Sequence, residues 1–136
     1  LRFSKLRFLN IFNCHSLTCL FYVGGAFSVP KLLERIYIFD CVELVELFVE
    51  ECNSSSIVNS EIPRVGKLEL TYLRKLATLG EQQRIWEHLE ELDVKLCHGI
   101  KKLPLSLQTS KNIKVIKGRL EWWSKLEWDD DNFKPN

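Results

Sequence analysis

Four times along this chain one apolar pattern returns, an apolar residue followed by others three, five, eight, eleven and fourteen places on. The first copy is Leu6, Leu9, Ile11, Cys14, Leu17 and Leu20. The second is Leu33, Ile36, Ile38, Cys41, Leu44 and Leu47; the third is Val65, Leu68, Leu70, Leu73, Leu76 and Leu79. The fourth is Leu89, Leu92, Val94, Cys97, Ile100 and Leu103. Every slot is apolar or Cys, and the starting residues lie 27, 32 and 24 positions apart. A unit this short cannot bury its own apolar side. Copies must stack, so that neighbours share one continuous core.

The spacing within a copy indicates what each unit does. Around its second and third slots, apolar and polar residues alternate at period two, as in a half-buried strand, and the segment is too short for an amphipathic helix. The later slots, three apart, suit a turn of irregular or 3₁₀ structure that returns the chain beneath the core. The expectation is an α/β repeat solenoid, a leucine-rich-repeat arc with short parallel strands on the concave face and a mostly irregular or 3₁₀ convex side. Cys14, Cys41 and Cys97 share one slot, which Leu73 takes in the third unit. At this strand-to-coil corner a free Cys acts as a small hydrophobe with a weak donor.

The organisation follows. Leucine-rich repeats fill residues 1–120, as about four units plus a terminal strand around Ile113 to Ile116. A Ser-rich insertion near residues 50–62 expands the second unit, and is read as a mobile excursion from the solenoid. Gly24, Gly25 and Pro30 mark a shorter connection. Residues 121–136 form a cap with an acidic tail. There Trp122, Trp123, Leu126 and Trp128 suit an open apolar end of the stack, and Asp129, Asp130 and Asp131 suit solvent. The chain contains no Met and begins with Leu1 inside a repeat, so it reads as a fragment with more protein ahead of it.

Charge and cysteine content exclude several classes. With 19 Lys and Arg against 18 Asp and Glu, the net charge of +1 gives no field suited to nucleic acid. The stretch between Arg7 and Lys31 carries no formal charge. Asn10, Asn13 and His15 interrupt it, Gly24 and Gly25 break it, and it keeps the repeat phase, so no membrane span is read there. Five Cys residues form neither a disulfide framework nor a zinc ligand set. Cys14-His15 and Cys97-His98 lie three strand places apart, about 14 Å at a spacing of about 4.8 Å, too far to share a metal. Asn53-Ser54-Ser55 is a glycosylation sequon, whose meaning depends on secretion. No nucleophile, base and acid combine into a catalytic motif, and no phosphate-cradling loop is present, so the chain is read as a binding module and not an enzyme.

The candidate site is therefore the exposed side of the sheet. The residues between apolar strand slots project from the concave surface. Those assigned to partner binding are Phe8, Asn10 and Phe12 in the first unit, and Arg35, Tyr37 and Phe39 in the second. Lys67, Glu69 and Tyr72 follow in the third, and Glu91, Asp93 and Lys95 in the fourth. Phe12 beside Phe39, with Phe8 and Tyr37 near them and Arg35 at the rim, makes an aromatic patch of interface composition.

Two stretches carry a resemblance. Leu6 to Leu17 (LRFLNIFNCHSL) and Leu89 to Pro104 (LEELDVKLCHGIKKLP) resemble the cysteine-type repeats of plant nucleotide-binding leucine-rich-repeat disease resistance proteins of the coiled-coil class. Leu103 to Ser106, Ile113 to Gly118 and Glu121 to Trp128 (EWWSKLEW) are similar to the C-terminal close of those receptors. The resemblance implies a cytoplasmic immune receptor. Its repeats would sense a pathogen effector or a guarded host protein, and would hold their own nucleotide-binding domain inactive in cis. It implies no cofactor in this fragment, since ADP or ATP would bind only in a missing upstream domain. Two rivals share the fold, the substrate-recognition arm of a ubiquitin-ligase adaptor and a non-functional truncated repeat array.

Overall fold

Alternation of apolar and polar residues places five short strands in one parallel sheet. They are β1 (Phe8–Phe12), β3 (Arg35–Phe39), β5 (Lys67–Thr71), β6 (Glu91–Lys95) and β7 (Val115–Gly118), ordered β1-β3-β5-β6-β7. The computed structural model describes residues 5–23, 30–50, 63–80 and 84–135. Most of the Ser-rich insertion, the sequon, Cys52 and Gly24-Gly25 lie outside them. The chain winds as a solenoid, each coil giving one strand to this sheet.

Register sets the core. Leu9, Ile36, Leu68, Leu92 and Ile116 align across the sheet, as do Ile11, Ile38, Leu70, Val94 and Gly118. All eighteen apolar slots of the second, third and fourth copies are buried. In the first copy Leu6, Leu9, Ile11, Leu17 and Leu20 are only partly buried and Cys14 is exposed. That coil has a single neighbour among the described residues, the coil of β3, and its side chains are covered from that side.

Each coil junction repeats the same backbone solution. One carbonyl accepts two N–H groups of the next coil: Arg7 O from Glu34 and Arg35, Glu34 O from Gly66 and Lys67, Gly66 O from Glu90 and Glu91. β1, β3, β5 and β6 are each followed by a residue in the left-handed region, Asn13, Asp40, Tyr72 and Leu96, at φ 54–58°. The N–H of the first three continues the ladder, to the carbonyls of Phe39, Thr71 and Lys95. The Cys slot comes next, and Cys14, Cys41 and Cys97 each donate S–H to the carbonyl two residues back.

The convex side holds more regular structure than its spacing indicates. β2 (Cys19–Val23) and β4 (Glu46–Glu50) form a second, two-stranded parallel sheet, extended by a bridge from Glu46 to Thr78. Further along stand a 3₁₀ turn (Arg84–His88) and α1 (Leu105–Gln108). An aromatic column runs across these coils. Phe21 stacks on Phe48 at 5.8 Å between ring centroids, and Phe48 meets Trp86 edge-on at 5.7 Å. Trp86 is fully buried, and its indole N–H donates to Leu79 O at 2.7 Å.

Beyond β7, α2 (Leu120–Lys125) lays Trp122 against the last coil. Its ring fills the space above Gly118, where an added Cβ would meet Cε3 at 2.5 Å, and its N–H donates to Ile100 O at 2.8 Å. Trp123 packs against Trp122 and Trp128 at 6.5 and 5.6 Å. Gln108, buried, donates to Leu103 O and Asp129 Oδ2 and accepts from the Asp129 N–H. These contacts hold the terminal segment to α1.

Candidate functional site

The strands present their alternate residues as three rows on the concave face. Phe8, Arg35, Lys67, Glu91 and Val115 form the first; Asn10, Tyr37, Glu69, Asp93 and Lys117 the second; Phe12, Phe39, Thr71 and Lys95 the third. Eleven of the twelve residues assigned from sequence stand in these rows. Tyr72 does not: it sits at the left-handed corner after β5, where Arg74 lies over its ring at 4.9 Å and bonds its hydroxyl. Val115, Lys117 and Thr71 complete the rows and were not among the assigned residues. Their register to the strands before them could have placed them there.

The face divides into two chemistries. Over β1 and β3 it is aromatic. Phe12 meets Tyr37 edge-on at 5.3 Å and Phe39 at 6.4 Å, while the Arg35 guanidinium stands 5.5 Å above Phe8. These rings pair with one another yet stay open to solvent: Phe8, Phe12 and Phe39 are 53%, 48% and 36% exposed. Over β5 and β6 the face is charged. Lys67 bridges Glu69 at 3.0 Å and Glu91 at 3.4 Å, and Lys95 lies 3.7 Å from Asp93. The hydrogen bond and charge of Glu69, then those of Glu91, push the Lys67 pKa up. Asp93 Oδ1 is buried and has no hydrogen-bond partner among the described residues.

What this face can do follows from its shape. The concavity bounded by Phe8, Asn10, Arg35, Tyr37, Lys67 and Glu69 measures about 280 Å³ and is widely open. That falls below the roughly 300–1,000 Å³ of pockets that enclose small molecules. A second depression, at the strand-start edge, is larger, about 470 Å³, but just as open, and it mixes Arg35, Arg64 and Lys67 with Glu34, Glu90 and Glu91, so it favours neither an anion nor a cation. Among the described residues no three His, Cys, Asp or Glu side chains converge on a metal position, and no helix is long and apolar enough to cross a membrane. Exposed aromatics with an Arg among them have the composition of the centre of a protein-binding surface, and the charged residues over β5 and β6 suit its polar rim.

Fold and face together define a leucine-rich-repeat solenoid with an open, aromatic concave surface. Its relatives are proteins of plant defence. The chain is 33% identical over 130 residues to the disease resistance protein At4g27190 of Arabidopsis thaliana, covering 96% of this chain and 13% of that protein. It is 29% identical over 127 residues to the probable disease resistance protein At4g27220 of the same plant, covering 90% and 13%. A third relative, the probable disease resistance protein At1g61310, is 27% identical over 132 residues, covering 97% and 14%. The resemblance to disease resistance proteins therefore runs through nearly the whole chain, which spans 13–14% of the length of these relatives. It supports a role related to plant defence. No protein-family model matches the chain, and no solved structure matches it.

Proposed function

We propose that this chain is the protein-recognition region of a cytoplasmic plant immune receptor. Its concave face binds a pathogen effector or a guarded host protein, and in the resting receptor it holds a nucleotide-binding switch inactive in cis. The observation that carries this reading is the uncovered aromatic patch of Phe8, Phe12 and Phe39, in a chain whose relatives are disease resistance proteins. Large exposed apolar clusters are rare on faces that meet only water.

The mechanism is a linked equilibrium. A partner that binds the concave face only when the repeats are released from the switch pulls the receptor toward its active state, by as much as its affinities for the two states differ. The aromatic rings supply contact area, and the charged rows over β5 and β6 select orientation. ADP or ATP belongs to the switch and not to these residues.

The test uses the full-length receptor expressed in leaves. Phe12→Ala with Phe39→Ala is expected to change the resting state, as defence signalling without a pathogen, or to abolish the response to the partner. Truncation of central aromatic contacts typically costs about 2 kcal/mol or more, about thirtyfold in affinity. A receptor with both resting state and response unchanged would overturn the reading.

A further inference from the structure

The ladder of the first two coils brings two thiols together. Phe12 pairs with Phe39, and the Asn13 N–H extends the ladder to Phe39 O at 3.0 Å. Cys14 and Cys41 follow in the same slot one coil apart, each after a left-handed residue, Asn13 and Asp40. Neighbouring strands are about 4.8 Å apart, within the Cα separation of roughly 4.4–6.8 Å that a disulfide spans. Both side chains turn the same way, Cys14 S–H toward Phe12 O at 3.5 Å and Cys41 S–H toward Phe39 O at 3.7 Å. Cys14 is close enough to Cys41 to act on the titration of its sulfur. His15 adds a further link between these corners, with Nε2 3.7 Å from Asp40 Oδ2.

The two thiols are unequal. Cys14 is exposed and Cys41 is fully buried. An oxidant in water meets Cys14 first. Burial raises the pKa of Cys41, so it loses its proton less readily than an ordinary thiol and reacts second, once Cys14 has become a sulfenic acid.

We infer that Cys14 and Cys41 form a reversible cross-coil disulfide, a modification site written by hydrogen peroxide and erased by dithiol reductants. In the first step the Cys14 thiolate attacks one peroxide oxygen. An S–O bond forms, the O–O bond breaks, and hydroxide leaves to take up the thiol's proton as water. The Cys41 sulfur then attacks the Cys14 sulfur of the sulfenic acid; the S–S bond forms, the S–O bond breaks, and a second water leaves with the Cys41 proton. Two thiols are oxidised by two electrons, and one peroxide is reduced to two waters. The bond lies two residues beyond Phe12 and Phe39, so it fastens together the coils that bear the aromatic patch. It needs no particular partner for that patch.

Cys97 provides the internal comparison. It holds the same slot, but its neighbour one coil back is Leu73, so no thiol stands opposite. For the test, the full-length natural protein is treated with hydrogen peroxide, its remaining thiols are alkylated in denaturant, and it is digested with trypsin. Digestion separates residues 8–31 from 36–64, and fragmentation of the linked pair locates the bond. The expected result is a Cys14–Cys41 link in most molecules. A dithiol reductant returns it to background, Cys14→Ser and Cys41→Ser each remove it, and Cys97 is alkylated throughout. Cys14→Ser alters an exposed side chain, so loss of the link there is not loss of fold. Cys14 left free, Cys14 carried on to sulfinic acid without a link, or a link from Cys14 to another cysteine overturns the inference.

Discussion

Tyr72 and Leu96 stand at corners where the backbone must turn left-handed, at φ 58° and 55°. Asn13 and Asp40 fill the same slot at φ 56° and 54°. Asn and Asp tolerate this region, whereas a bulky residue is held there against its preference. Tyr72 regains something through its contact with Arg74. Leu96 has no such contact on its ring-less side chain and is only half-buried. Leu96→Asn is therefore expected to stabilise the chain by roughly 0.5–1 kcal/mol, seen as a higher urea midpoint with unchanged slope. A lower midpoint would mean that the packing of Leu96 outweighs its backbone strain. A second residue-scale effect concerns Cys97, whose pKa burial pushes up to about 11, against a smaller lowering effect of the neighbouring backbone. Its ordinary value is 9.0. Between these values the folded chain keeps a proton that the unfolded chain has lost, so stability is full below the lower value and falls as pH rises toward the upper. The loss is on the order of 2 kcal/mol. Comparing urea midpoints of wild type and Cys97→Ala across that window checks it: the variant should lack this part of the decline, and equal declines would refute the assignment.

At the scale of elements, coils are held at a distance that leaves no room for extra atoms at certain points. A Cβ on Gly99 would lie 2.7 Å from Leu76 O in the preceding coil, a backbone atom that cannot swing aside. Gly99→Ala is expected to cost roughly 1–3 kcal/mol, measured by urea denaturation, and a cost near zero would show that adjacent coils slide freely. The aromatic column of the convex side makes the opposite kind of contact, filling space. Trp86→Ala removes a buried ring and leaves Leu79 O without its donor, a loss of about 3–5 kcal/mol in the same measurement. The strands of the concave sheet were legible in the sequence because one side of each is wet, so alternation survives in the residues themselves. β4 was not. Its adjacent Leu47 and Phe48 are both buried, one among the repeat slots and the other against Phe21 and Trp86, so no alternation is left to read. Trp86 and Gln108 were missed for a related reason: they occupy no repeat slot, and their partners come from other parts of the chain.

On the scale of the whole molecule, the concave rows follow from periodicity and register together. Period two shows which residues leave the core, and stacking in register puts Phe12 beside Phe39 and Lys67 beside Glu91. Tyr72 escaped this reasoning because the left-handed corner turns the chain out of the strand before its side chain is reached. A solenoid of this kind has only neighbour contacts, so its stability is a sum of coils and of the interfaces between them. The inward residues of β3, β5 and β6 are fully buried, with a coil on each side, while those of β1 and Ile116 of β7 are partly buried. Opening from either end breaks one interface; opening in the middle breaks two. Amide hydrogen exchange on the chain of 136 residues should therefore show a gradient, slowest in β5, then β3 and β6, and fastest in β1 and β7. The Trp122 contact with Gly118 and Ile100 should slow β7 relative to β1, and Trp122→Ala should erase that difference while leaving β5 unchanged. Uniform protection across all five strands would show instead that the coils open as one cooperative unit. An end-to-end effect of Trp122→Ala would then replace the local one, because removing one interface would lower the stability of every strand equally.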